Sequence, residues 1–149
     1  MRDGRAVGQA GFTLVELLVV VAIIGILAAI AIPGLQMALD KAKQRATMAD
    51  MRGIATGVQL YQIDESIYPA DGTTASVLVA TVYPYAKILF PYQDSWHHDY
   101  SYHSDGHTWY SLESFGKDGI DGVDITNATK YQFELDIIYA TGRFSNSPD

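Results

Sequence analysis

The sequence predicts an α+β protein in which one long N-terminal helix, apolar in its first half and amphipathic in its second, packs on a small antiparallel sheet. Three observations carry this. No residue from Leu17 to Leu39 is charged, and Leu17 to Ile32 reads LLVVVAIIGILAAIAI, apolar on every face. Beyond Pro33, Met51, Ile54, Val58 and Tyr61 recur at intervals of three and four, the period of one helical face. Later the period shortens to two, where Tyr100-Ser101-Tyr102 and Thr108-Trp109-Tyr110-Ser111-Leu112 flank Ser104-Asp105-Gly106 as a hairpin would.

The 149 residues have room for one modest globular domain and one long accessory element, and not for a second full domain. They divide into a leader over 1–11, a membrane-spanning helix over 12–34, an amphipathic helical half over 35–63 and a globular head over 64–149. The formal net charge of −7 hides a polarity, because Arg2, Asp3 and Arg5 make the first eleven residues net positive and leave 8 basic against 16 acidic residues from Phe12 onward. An acidic body repels phosphate backbones, which argues against nucleic-acid binding and for cations. With no cysteine in the chain, disulfides, thiolate metal sites and cysteine nucleophiles are all excluded.

The first helical half is long enough to cross a hydrocarbon core of about 30 Å. A cleaved secretory signal is the nearest rival, but its apolar region usually runs to about 7–15 residues and ends at a small-residue site. Glu16 stands at the start of this run, where a carboxylate costs up to about 2.5–3.5 kcal/mol at the bilayer centre and less near the interface. Such a charge requires a partner. Pro33 removes one helical hydrogen bond and permits a kink.

In the second half, Lys41, Lys43, Arg45, Asp50 and Arg52 supply the polar faces. The apolar stripe spans about two heptads, short of the three or four that define a coiled coil, so it reads as a face packed on the head. Ser66-Ile67-Tyr68-Pro69 ends the helix, since proline cannot continue it. Between Ala70 and Tyr92, Val77 to Ala80 and Ala86 to Phe90 are short apolar pieces that predict one short helix. After the hairpin comes a loop from Ser114 to Asp124, and Tyr131 to Tyr139, rich in aromatic and β-branched residues, reads as the last strand.

The loop holds the one constellation with clear chemistry. Asp118, Asp121 and Asp124 stand three apart among Gly116, Gly119 and Gly122, and hard oxygen ligands on a chain able to curl back on itself are what Ca²⁺ takes. An EF-hand is excluded: with Asp118 as position one, position twelve is Thr129 and not a glutamate. Taken alone, the loop reads first as a solvated acidic turn and second as a cation site. His97, His98, His103 and His107 lie close in sequence but lack helical pair spacing, and read as surface histidines. Ser111 or Ser114 with His107 could be named as a catalytic triad, yet no G-x-S-x-G elbow accompanies them, and the chain reads as a non-enzyme. The tyrosines pave hairpin faces and subunit contacts.

Two stretches resemble a known family. GFTLVELLVVVAIIGILAAIAIP is similar to the N-terminal signature of type IV prepilins and of the pseudopilins of type II secretion. The resemblance implies a type IV pilin fold, cleavage after Gly11 by the prepilin peptidase, methylation of Phe12, and a role for Glu16 in assembly. The order Tyr68-Pro69, Trp96, Tyr100, Tyr102, Tyr110, Ser114, Gly116, Asp118, Gly119 resembles the head of the major pseudopilin, which implies a C-terminal calcium-type loop. On that resemblance the ligands are Asp118 and Asp124, with Asp121 joining or substituting, the carbonyl of Phe115 and the hydroxyl of Thr126. The family's proline-tryptophan-glycine turn is here Asp94-Ser95-Trp96-His97-His98, which keeps only the tryptophan. The expected function is a structural subunit of the bacterial inner membrane, head in the periplasm, that polymerises with itself and works with other pseudopilins and the inner-membrane secretion platform. A surface pilin or minor pilin, and a membrane-tethered binding domain, are the competing readings.

Overall fold

The structure, a computed structural model, describes residues 11–122 and 133–146. The chain divides into two compact units, Met1–Met37 and Ala38–Asp149. Helix α1, Leu14–Glu65, begins in the first and ends in the second. The helix runs through Pro33 without interruption. In the first unit its large apolar side chains are exposed, among them Leu14 at 87%, Ile24 at 59% and Ile30 at 75%. It is long and apolar enough to cross a membrane.

In the second unit α1 acquires an inner face. Met51, Ile54 and Val58 are fully buried, as their spacing predicts, and Tyr61 packs partly against them. Burying side chains of this size stabilises by roughly 1.5–3 kcal/mol each. The same face continues upward through Gln44 and Thr47, polar residues that hydropathy cannot identify as buried. Two glycines on α1 admit close neighbours. A Cβ on Gly53 would collide with the Phe90 ring, and one on Gly57 would lie 3.0 Å from Val82 Cγ2. Helix α2, Ala75–Ala86, supplies Leu78, Val79 and Val82 to the core. It stops where Lys87 turns left-handed at φ 53° and gives its N–H to the Tyr83 carbonyl.

Four strands follow: β1, Ser101–Ser104; β2, Tyr110–Ser114; β3, Ile137–Ala140; β4, Arg143–Asn146. All pair antiparallel in chain order, with Ser104 opposite Tyr110, Ser114 opposite Ile137 and Ala140 opposite Arg143. The pleat of β2 turns Tyr110, Leu112 and Ser114 inward and leaves Ser111 and Glu113 half-buried. Tyr102 and Tyr110 thus line the inner face of the β1–β2 hairpin and, with Tyr100, belong to the core. Burial holds the Tyr102 hydroxyl up at about 12.

Two expectations about elements are corrected. The predicted last strand, Tyr131 to Tyr139, begins only at Ile137; residues 133–136 form a turn with Phe133 and Asp136 buried, and 131 and 132 lie outside the described residues. A further strand, β4, follows it. Its sequence Arg143-Phe144-Ser145-Asn146 carries little apolar signal, and it is created by a tight reversal at Thr141 and Gly142, both at positive φ. In the turn that replaces the proline-tryptophan-glycine pattern, His97 sits at φ 74°, a conformation that suits glycine.

Candidate functional site

At the N-terminal end, Gly11 and Phe12 precede α1, and Phe12 is 80% exposed. Thr13 and Glu16 form a reciprocal cap. The Thr13 N–H and Oγ1 donate to Glu16 Oε2 at 2.9 and 2.8 Å, while the Glu16 N–H donates to Thr13 Oγ1 at 3.2 Å. This is a capping box, with a hydroxyl residue and a glutamate three apart satisfying each other's orphan donors. The partner that Glu16 requires is thus supplied within the same turn by Thr13, and the T-x-x-E spacing is its signature in the sequence.

The acidic loop begins where β2 ends. Gly116 takes φ 62°, and a Cβ there would lie 2.8 Å from the carbonyl oxygens of both Phe133 and Leu135. Only glycine lets this turn press against the 133–135 backbone, to which Lys117 also donates its N–H, at 2.7 Å from Phe133 O. Asp118 Oδ1 accepts the Ile120 N–H at 3.1 Å, a local turn contact. Asp121 comes together with Glu113 and Asp136: one carboxylate oxygen from each lies within 4.8 Å of the others. Asp136 is buried and accepts the Gly122 N–H at 2.8 Å.

Of the expected ligands, Phe115 is half-buried at the end of β2, Asp118 stands apart from this carboxylate group, Asp121 joins it, and Asp124 and Thr126 lie outside the described residues. Glu113 and Asp136 were not anticipated. Each stands one residue before a member of the Ser114–Ile137 pair, so their proximity follows from the register of β2 and β3. Asp136 falls in the stretch expected as the last strand, where nothing in the sequence marks it as part of a site. The donor set fits calcium: oxygens bound to one ion at about 2.3–2.6 Å can be no more than about 4.6–5.2 Å apart.

The loop is tied to the head from two sides. Asp94, buried, accepts the N–H groups of Trp96 and His98, both at 2.9 Å, and the Ser114 hydroxyl at 2.7 Å. His98 reaches the loop itself, its Nδ1 2.9 Å from Gly116 O. Lys117 Nζ pairs with Asp40 Oδ2 on α1 at 2.7 Å. The other histidines do not converge on a metal: His103 contacts Asp71 and Ser101, and the metal-capable group among the described residues contains no imidazole. The Asp71 carboxyl is held below its usual range, first by the Ser104 N–H. Ser114, named in the triad reading, is buried and engaged with Asp94.

Residues 35–130 match the family model described as "Type II secretion system (T2SS), protein G", and residues 7–32 match the "Prokaryotic N-terminal methylation motif". The chain belongs to the protein G family of type II secretion. It is similar to the Type II secretion system core protein G of Klebsiella michiganensis, with 34% identity over 131 residues, covering 80% of this chain and 92% of that one. The corresponding protein of Pseudomonas aeruginosa is 36% identical over 126 residues, covering 76% and 87%. That of Vibrio cholerae is 34% identical over 131 residues, covering 80% and 88%. The chain is therefore a pseudopilin, a structural subunit of type II secretion that assembles with other secretion components. Its N-terminal apolar helix accords with an anchor in the inner membrane.

Proposed function

We propose that this pseudopilin is cut after Gly11 by the prepilin peptidase, methylated on Phe12, and polymerised with copies of itself through α1 into a periplasmic pseudopilus. One observation carries the reading: an exposed, fully apolar helical surface with a single carboxylate at its start. Cleavage would place a positive α-amine on Phe12, four residues from Glu16. In an apolar fibre core, a neighbouring subunit's amine would neutralise that carboxylate, and a charge-assisted bond is roughly twice as strong as a neutral one. Thr13 satisfies Glu16 until then. The head would stand in the periplasm, with other pseudopilins and the inner-membrane secretion platform as partners.

The head would also carry a calcium ion. Glu113, Asp121 and Asp136 would hold it, with the Phe115 carbonyl, Asp124 and Thr126 as further oxygen donors, while Asp118 shapes the turn. The ion would neutralise clustered carboxylates and clasp the loop to the sheet.

The test is mass spectrometry of membrane-extracted protein made with the cognate peptidase, joined to cross-linking of assembled fibres. Expected are loss of residues 1–11, a methylated Phe12, and a loss of fibres in Glu16→Ala without loss of membrane insertion. Retained Met1, or undiminished fibres from Glu16→Ala, would refute the reading.

A further inference from the structure

We propose that His98 is a positioning residue for the cation site, holding the Gly116–Gly119 turn in place before any ion arrives; the inference rests on the calcium reading above. His98 is fixed at three points. Its backbone N–H donates to Asp94 Oδ1 at 2.9 Å and its carbonyl accepts the Asp94 N–H at 2.8 Å. Its ring Nδ1 lies 2.9 Å from the Gly116 carbonyl oxygen, so the proton is carried on Nδ1 and donated there. Its far edge lies against Gly119, where a Cβ would fall 2.6 Å from Nε2. The side chain is one-third exposed, a ring laid over the loop and not a free surface histidine.

The opposite wall of the turn is backbone. Gly116 meets the Phe133 and Leu135 carbonyls, and Lys117 N–H bonds Phe133 O. The turn is thus held between the imidazole on one side and the 133–135 segment on the other. Asp118 sits inside this turn and Asp121 two residues beyond Gly119. Three glycines in the loop would otherwise leave the carboxylates many arrangements to lose on binding. A site whose supports are already ordered binds more tightly because less ordering remains to be done. Asp94 joins the two ends of the support, since the same carboxylate holds the His98 backbone and the Ser114 hydroxyl at the mouth of the loop.

The experiment uses the full chain in detergent micelles. Calorimetric titration with calcium chloride is run on the wild type, His98→Ala, His98→Asn and His103→Ala, and amide exchange at Lys117, Ile120 and Gly122 is followed in chelator. The Asn amide can place a donor near the position of Nδ1. Expected are an affinity about tenfold weaker in His98→Ala, at least half of that loss recovered in His98→Asn, no change in His103→Ala, and faster exchange in His98→Ala without calcium. Wild-type affinity or wild-type exchange in His98→Ala overturns the positioning role alone. A wild type that takes up no calcium overturns the calcium reading and this role with it. An affinity loss of the same size in His98→Asn or His103→Ala would overturn the specific contact with Gly116.

Discussion

Replacing Asp121 by Asn should change the stability of the head in opposite directions with and without calcium. The three carboxylate oxygens of Glu113, Asp121 and Asp136 lie within 4.8 Å of one another. At that separation each pair of charges repels by about 0.9 kcal/mol in bulk water and about 3.5 kcal/mol at an effective dielectric of 20. Asp121 is exposed, so solvent and salt hold its share near the lower value. In chelator the substitution should therefore stabilise by about 1 kcal/mol, a rise of about 4 °C in melting temperature for a domain of this size. With calcium bound as proposed, at a hundredfold excess over Kd, the wild type should gain about 2.7 kcal/mol. A variant binding about a hundredfold more weakly would keep only about 0.4 kcal/mol of that. The variant should then melt below the wild type by several degrees. The assay is scanning calorimetry of the full chain in detergent, in calcium and in chelator. Shifts of the same sign in both media, or identical wild-type curves, would refute the reasoning.

Three other substitutions probe the supports. Gly116→Ala must place a methyl group 2.8 Å from two carbonyl oxygens at φ 62°, and should lower stability by about 2 kcal/mol in chemical denaturation. His97→Gly removes left-handed strain at φ 74° and leaves the N–H to Asp94 O intact, so it should raise stability by up to about 1 kcal/mol. Asp50 on α1 has its carboxyl pushed up from 3.8 by desolvation, so the folded state holds its proton longer than the unfolded chain does. Stability then falls as pH rises from the unfolded value through the raised folded one, and Asp50→Asn should melt above the wild type at pH 7 and with it near pH 3. Equal melting at both pH values would show that burial of Asp50 has no energetic consequence.

What could be read from the sequence follows the range over which each signal acts. The apolar run and the Met51, Ile54, Val58 stripe are periodic patterns within one element, and they appear in the structure as the exposed and buried stretches of α1. The hairpin was legible because its turn is local. Helix α2 was legible only in outline, since Pro84 interrupts its apolar pieces, and Ile88 to Phe90, which continue the apolar pattern, follow the left-handed stop at Lys87. The fourth strand and the true start of the third depend on pairing between distant segments, which no local period records. The same cause hid Glu113 and Asp136, brought beside Asp121 by register alone. Gln44 and Thr47 were invisible for another reason: their burial is set by what packs on them, with the Thr47 hydroxyl accepting the Ser95 N–H at 3.1 Å.

The apolar half of α1 poses a thermodynamic question that its composition answers. Leaving a bilayer for the core of a fibre exchanges lipid tails for other apolar helices, and this exchange carries little hydrophobic driving force, because both surroundings exclude water alike. Van der Waals packing between helices can hold the fibre together, yet packing alone is tolerant of small axial slips. A polar pair is not: in an apolar surrounding, a carboxylate left without donors costs several kcal/mol, so the register that supplies them is selected over its neighbours. From Leu14 to Leu39 Glu16 is the only charged residue. In the isolated subunit Thr13 already satisfies it, which limits the penalty of holding it near the membrane surface. In the proposed fibre an α-amine would be added to those donors, and the one position able to discriminate between registers lies at the end that cleavage creates. On this argument Thr13→Val, which removes the hydroxyl and leaves the amine, should weaken the resting state of Glu16 more than the fibre, and fibres from that variant should keep their helical repeat while the amount of inserted subunit falls. A changed repeat with normal insertion would show that Thr13, and not the amine, sets the register.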